Sequence, residues 1–109
     1  GTTVAGFSPG AGSSRSELYY PTGITISPSG NMYILDTSNY RVLKWTIGDP
    51  LGYVVAGGRG SGSSFDRMGA TYGICIDSQE NIYLSEQTNH RVTFWTRGNT
   101  TAGVLVSYP

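Results

Sequence analysis

The chain has 109 residues with seven basic and seven acidic side chains, and its formal net charge at neutral pH is zero. Such a sparse and balanced charge argues against nucleic-acid binding, which normally needs a basic surface. No run of about 18 apolar residues occurs, so no membrane-spanning segment is predicted. The single cysteine, Cys75, cannot form an internal disulfide.

The N-terminal segment, residues 1–6, reads Gly-Thr-Thr-Val-Ala-Gly and resembles residues 52–57, Gly-Tyr-Val-Val-Ala-Gly. The later segment ends a unit of four predicted strands, whereas the first has no three strands before it. A lone strand exposes backbone donors and acceptors and needs an acceptor sheet. We therefore expect an extra outer strand that pairs with a neighbouring unit or chain. Its interface residues are Thr2, Thr3, Val4 and Ala5.

Four runs of alternating apolar and polar residues follow, separated by Gly, Pro, Asn and Ser. These runs cover residues 23–27, 31–36, 40–46 and 53–56. Period-two alternation between turn residues is the pattern of β-strands, and no segment has helical periodicity. The pattern predicts a small antiparallel sheet of four strands in chain order.

A glycine- and serine-rich connector, residues 57–64, leads to a second set of runs, and residues 6–14 are its counterpart before the first set. Neither connector contains Gly-Lys-Ser/Thr or precedes a helix, so a linker is favoured over a phosphate-binding loop. The second set covers residues 73–76, 81–86, 90–96 and 103–107. Residues 73–96 repeat residues 23–46 at an offset of 50 without a gap.

A repeat of this length is typical of proteins whose units each bury an apolar face on the next unit. We predict an all-β fold of two four-stranded antiparallel units plus the extra N-terminal strand. The predicted boundaries give the extra strand residues 1–6, the first unit residues 7–57 and the second unit residues 58–109.

The repeated residues resemble a known motif. The first copy has Pro-Thr-Gly-Ile at residues 21–24, Gly-Asn-Met-Tyr-Ile-Leu-Asp at 30–36, Asn-Tyr-Arg-Val at 39–42, and Trp45. The second has Tyr-Gly-Ile at 72–74, Asn-Ile-Tyr-Leu-Ser-Glu at 81–86, Asn-His-Arg-Val at 89–92, and Trp95. This pattern resembles the NHL repeat, the blade of NHL-type β-propellers. The resemblance implies a partial propeller, because two blades cannot close a ring of about four to eight.

The repeated polar residues of each copy are interpreted as structural. Side chains such as Asp and Asn accept or donate hydrogen bonds in turns, and an arginine beside them can pair with an acid of its own or the adjacent blade. These residues are Asp36, Asn39 and Arg41, and Glu86, Asn89 and Arg91. The second copy departs from the pattern with Glu80 in place of the turn glycine and Glu86 in place of the aspartate. The longer Glu86 is expected to cap its turn less tightly.

The aromatic residues divide into repeated and variable ones. Trp45 and Trp95 hold the same place in each third strand, so packing between blades is favoured over stacking on sugars. The variable aromatic residues near turns and strand entries are better candidates for binding, although a role in the fold is favoured for them too. They are Tyr19, Tyr20, Tyr40 and Tyr72.

Catalysis finds little support in the sequence. Some members of the wider NHL-like group are lyases in which several histidines hold a zinc ion, but His90 is the only histidine here. Cys75 alternates with Ile74 and Ile76 and is interpreted as an inert thiol on the opposite side of its strand. No catalytic residue, cofactor or metal site is predicted. Asn99-Thr100-Thr101 is an N-glycosylation sequon in the loop after the third strand of the second copy, and it would matter only in a secreted protein. Of the possible locations, an extracellular one is favoured.

The predicted function is that of a non-enzymatic module that associates head to tail with copies of itself through blade faces and strand donation. Three copies could form a six-bladed ring, and a rotation that does not close would give a filament. One alternative is a piece of a longer propeller that recognises a protein or glycan through its loops. A lyase-like metal enzyme is a second, disfavoured alternative.

Overall fold

A computed structural model describes residues 3–6, 15, 17–58, 69, 71–87, 89–96 and 103–107. The first sheet consists of β1 (Pro21–Ile26), β2 (Met32–Asp36), β3 (Arg41–Trp45) and β4 (Tyr53–Gly57). The second consists of β5 (Thr71–Ile76), β6 (Ile82–Glu86), β7 (Arg91–Trp95) and β8 (Gly103–Ser107). Each sheet is antiparallel with its strands in chain order. The predicted all-β fold of two four-stranded units is confirmed.

The two sheets share one strand register. In the first sheet the pairing shifts between Pro21 and Gly23 and again between Val42 and Leu43, and the second sheet shifts at the positions 50 residues later. The first shift lets Pro21 pair with Asp36, so β1 begins two residues before the predicted start. The repeat in sequence is therefore a repeat in backbone pairing.

Each blade has two faces because side chains alternate along its strands. We call the face that carries Tyr33, Leu35, Val42 and Ala56 the front face of the first blade. Its rear face carries Met32, Ile34, Leu43 and Trp45. In the second blade the rear face carries Ile82, Leu84, Thr93 and Trp95, and the front face carries Tyr83, Ser85, Val92 and Phe94.

The core lies where the front face of the first blade meets the rear face of the second. One buried cluster spans this junction, with Ile74 and Ile76 packed against it; its members are Tyr33, Leu35, Val42, Ala56, Ile82, Leu84 and Trp95. The first strand of each blade, β1 and β5, is its inner strand, and these two approach closely here, since a Cβ on Gly23 would lie 3.1 Å from Cγ2 of Ile74. Burial of this cluster holds the two blades together.

The predicted N-terminal strand is not formed within the single chain. Residues 3–6 have no strand pairing, and Thr2 lies outside the described residues. Ala5 instead packs with Leu18 against the rear-face cluster of the first blade, and Gly6 turns the chain with a φ of 75°. Within one chain this segment covers apolar surface, and its pairing with the sheet of a neighbouring chain stays a prediction. No helix among the described residues is long and apolar enough to cross a membrane.

Candidate interaction site: the turns and faces of the two blades

The β2–β3 turn of the first blade is organised by the fully buried carboxylate of Asp36. Its Oδ2 accepts hydrogen bonds from Nε of Arg41 and Nδ2 of Asn39, both at 2.8 Å. Its Oδ1 accepts the backbone N–H of Tyr19 at 2.7 Å. Nη2 of Arg41 also donates to the carbonyl of Glu17 at 2.9 Å. The repeated trio thus joins the turn to the segment that leads into β1, with the arginine pairing an acid of its own blade.

The second blade builds the same turn around Glu86. Its Oε1 accepts hydrogen bonds from the backbone N–H of Gly69, from Nδ2 of Asn89 and from Nε of Arg91, each at 3.0 Å. Nη2 of Arg91 lies 2.9 Å from the same oxygen. The three repeated residues therefore come together in both blades.

The second oxygen of Glu86 has a partner that the first blade lacks. Oε2 accepts the hydroxyl of Thr93 at 2.7 Å, and this hydroxyl oxygen accepts Nε1 of Trp95 at 3.3 Å. Leu43 occupies the corresponding position in the first blade, where Nε1 of Trp45 bonds to a loop carbonyl instead. The donors that the two turns share lie 2.7–2.8 Å from the Asp36 oxygens and 3.0 Å from the Glu86 oxygen, while the extra methylene of Glu86 brings its second oxygen to Thr93.

The charge of Glu86 is favoured by these contacts. Burial by itself raises the pKa of the Glu86 carboxyl, but the hydrogen bonds from Gly69, Asn89, Thr93 and Arg91 outweigh burial and leave the pKa below its ordinary value. The carboxylate is therefore ionised at neutral pH, as its pairing with an arginine requires.

Neither tryptophan presents its ring to solvent. Trp95 lies in the cluster between the blades, whereas Trp45 lies in the cluster on the rear face of the first blade, under Ala5 and Leu18. Both side chains are buried. A buried indole cannot stack on a sugar, so both tryptophans serve packing in this chain.

Glu80 links the second blade to the first. It occupies the turn position of Gly30 and adopts a left-handed backbone with a φ of 64°. Its carboxylate accepts the hydroxyl of Ser29 at 3.2 Å and the hydroxyl of Tyr33, and lies 3.6 Å from Nζ of Lys44. In the sequence, Glu80 stands out only as a departure from the repeat. A glutamate where its repeat partner is glycine was the available signal, but its partners were not apparent from the sequence.

The front face of the second blade is arranged differently. The hydroxyl of Tyr83 donates to Oδ2 of Asp77 at 3.1 Å, within its own blade, and Phe94 stacks on Tyr83 with ring centroids 6.4 Å apart. Phe94 stands where the first blade has Lys44. The backbone N–H of Asn81 that donates to Asp77 keeps the pKa of this carboxyl below its ordinary value. The hydrogen bond to Asp77 raises the pKa of Tyr83, so the tyrosine stays protonated.

The inner strands show how the two rear faces differ in exposure. Ile74 and Ile76 of β5 pack against the cluster between the blades. Their counterparts in β1, Ile24 and Ile26, are 57% and 63% exposed. The same residues at the same register positions are therefore covered in one blade and open in the other.

The remaining candidates from the sequence are four tyrosines, a histidine, a cysteine and a glycosylation sequon. Tyr19 and Tyr20 are exposed and stack with ring centroids 5.3 Å apart. Tyr40 and His90 both have a left-handed φ of 51° after the β2–β3 and β6–β7 turns. Cys75 is an exposed free thiol, Tyr72 lies in β5, and Asn99 falls outside the described residues. Among the residues described, no group of three or more His, Cys, Asp or Glu could hold a metal ion.

Two four-stranded antiparallel sheets that have their strands in chain order and stack face to face with one shared register are consistent with neighbouring blades of a β-propeller, and they support a propeller-type interaction module. Residues 18–45 match the family model described as the NHL repeat. This match confirms the NHL resemblance in the first blade, and the second blade repeats its strand register. NHL repeats are generally interaction or structural repeats rather than catalytic ones. No curated protein matches the chain.

Proposed function

We propose that this chain is a non-enzymatic structural module that completes a β-propeller or filament by associating head to tail with copies of itself. The observation that carries this proposal is the exposure of Ile24 and Ile26, because Ile74 and Ile76 at the same places pack between blades. Complete burial of a fully exposed isoleucine contributes about 1.5–3 kcal/mol, and these two side chains, 57% and 63% exposed, would each contribute a little over half of that in an interface.

The two outer faces of the chain are counterparts of the two faces that already meet inside it. The rear face of the first blade corresponds in register to the rear face of the second. Tyr83 and Val92 on the open front face repeat Tyr33 and Val42, which are buried at the junction. The same packing can therefore recur between chains. Such a heterologous contact closes into a ring or continues as a filament, and three copies would give a six-bladed ring.

The N-terminal segment has a place in this proposal. Ala5 and Leu18 cover part of the rear face that a second copy would occupy. A docking copy must therefore displace the segment, which would then be available to join the outer edge of a neighbouring sheet through Thr2, Thr3, Val4 and Ala5. Its likeness to β4 supports this strand donation.

Sedimentation velocity over a range of concentrations tests the proposal. The ring predicts a mass three times the 11.6 kDa of one chain. Replacing Ile24 and Ile26 together by lysine should return the mass to one chain while circular dichroism still shows β-sheet. Ile47→Lys is the matched control, since Ile47 is 65% exposed but lies beyond the end of β3. A folded chain that remains at 11.6 kDa at every concentration would contradict the proposal.

One observation favours a second function, the recognition of a glycan. The Tyr19–Tyr20 stack is exposed, and its backbone is fixed because Tyr19 donates to Asp36 and accepts the N–H of Ser38 at 3.1 Å. Aromatic side chains held rigidly on a surface are common in binding sites. Binding on a glycan array that disappears in Tyr20→Ala, without a change of mass, would support this function.

A further inference from the structure

We propose that the turn position occupied by Gly30 and Glu80, together with the facing position occupied by Lys44 and Phe94, makes each front face accept one kind of neighbouring turn. A second copy would then dock with its first blade on the open front face of the second blade. The part of this inference that concerns two copies rests on the proposed function. The part that concerns the junction inside the chain does not.

The junction inside the chain shows one matched pair. The Glu80 carboxylate is largely covered and meets three groups of the first blade: the Ser29 and Tyr33 hydroxyls and the Lys44 ammonium. A partly buried carboxylate needs such donors, because removal from water without them is costly. The front face of the first blade therefore suits a neighbour that carries a carboxylate at this turn.

The open front face of the second blade does not suit a carboxylate. Phe94 replaces the lysine, and the Tyr83 hydroxyl already donates to Asp77. A second Glu80 placed there would meet an apolar ring and the negative charge of Asp77. A second blade that left its own first blade to stack on this face would therefore be disfavoured by charge and by desolvation.

The first blade brings a turn that fits this face. Gly30 carries neither a side chain nor a charge, and a Cβ built on it would have nothing within 4 Å. Phe94 can lie against such a turn without burying a carboxylate. Conversely, a first blade stacked on another first blade would offer Gly30 to Lys44 in place of Glu80. The alternating order of first and second blades is thus the one that matches both pairs.

A double-mutant cycle inside the chain tests the pairing without any assembly. The variants are Lys44→Phe, Glu80→Gly and the double variant. Their denaturant unfolding is compared with that of the wild type at a concentration at which all four proteins have the same mass in solution. Lys44→Phe should destabilise the chain when Glu80 is present and much less in the Glu80→Gly background. We expect a coupling of at least about threefold in the unfolding equilibrium constant. Additive effects would overturn the inference.

A second experiment tests the order between copies. Gly30→Glu should raise the concentration needed for half-assembly at least about tenfold, and adding Phe94→Lys should restore assembly by recreating the pair. Gly48→Glu is the matched control: Gly48 also has a positive φ and open space around it, but lies in the β3–β4 connection.

The outcomes separate the two proposals. A wild-type chain that never assembles overturns the proposed function and the copy-to-copy order, and the cycle within the chain then decides the pairing alone. A wild-type chain that assembles, with Gly30→Glu no different from Gly48→Glu or not rescued by Phe94→Lys, overturns the inference and leaves the proposed function standing.

Discussion

The hydroxyl of Thr93 donates to Oε2 of Glu86 across 2.7 Å in the buried turn of the second blade. The first blade has Leu43 and Asp36 at these two positions. The second blade therefore differs from the first at two positions that belong together: the longer side chain of Glu86 brings an oxygen to position 93, and Thr93 supplies the hydroxyl that donates to it. An acid of either length can organise this turn when its neighbours supply the matching donors.

Thr93→Val should lower the free energy of unfolding by about 1–3 kcal/mol, because Glu86 loses a donor and Trp95 loses the acceptor of its Nε1 in a buried place. Urea denaturation measures the loss. Thr46→Val is the control, since its hydroxyl bonds to Asn31 at the surface and its removal should cost little. Equal losses in the two variants would contradict the importance of the buried hydroxyl.

Arg41→Met should lower the free energy of unfolding by about 3–5 kcal/mol, because it leaves the buried Asp36 carboxylate without its cation. Arg15→Met serves for comparison. Arg15 lies at the surface, where its guanidinium is 4.6 Å from the Tyr53 ring centroid and its Nε donates to the carbonyl of Gly52 at 2.8 Å. These contacts together are expected to contribute about 1–2 kcal/mol, less than the buried ion pair. Thermal unfolding followed by circular dichroism compares them. If Arg41→Met unfolded at the same temperature as Arg15→Met, the ion pair would not be a principal support of the turn.

Glu86 should make the chain less stable in acid. Its pKa is lower in the folded state than the value of about 4.3 for an unfolded glutamate, so its charge stabilises the fold fully above that value. This contribution is lost as the pH falls through the folded-state pKa. Unfolding free energies measured from pH 7 to pH 3 should therefore decline more steeply in the wild type than in Glu86→Gln, which is less stable at pH 7. Parallel curves would count against this origin of the acid sensitivity.

Gly52→Ala should destabilise the first blade by about 1–3 kcal/mol through overpacking. A Cβ at this position would lie 2.7 Å from Cε3 of Trp45, whose ring is buried and cannot move aside. Gly48→Ala is a control of a different kind, because its Cβ would meet nothing within 4 Å and only its φ of 97° opposes the change. The near-ultraviolet circular dichroism of the two tryptophans should change in Gly52→Ala alone, because only Trp45 lies beside this position. An unchanged tryptophan signal in Gly52→Ala would show that the ring has room.

The strands and turns could be predicted because their causes are local. Alternation along residues 31–36 and 81–86 assigns side chains to two faces, and the offset of 50 implies that both units fold alike. The β2–β3 turn followed from short-range chemistry, since Asp36, Asn39 and Arg41 lie within five residues of each other. The predicted starts of β1 and β5 missed the first two residues of each strand. Those residues precede a register shift, between Pro21 and Gly23 and between Thr71 and Gly73, and they count as strand only because they pair with the facing strand.

The sequence by itself determined two similar four-stranded blades, since periodicity and turn residues act between near neighbours in the chain. Only the tertiary structure decided how the blades meet. Glu80 reaches Tyr33 from 47 positions away, and Thr93 completes the Glu86 turn from the neighbouring strand. It also placed Ala5 on the rear face of the first blade rather than in a strand. Burial and hydrogen bonding depend on which surfaces come together in space, and no local pattern encodes that.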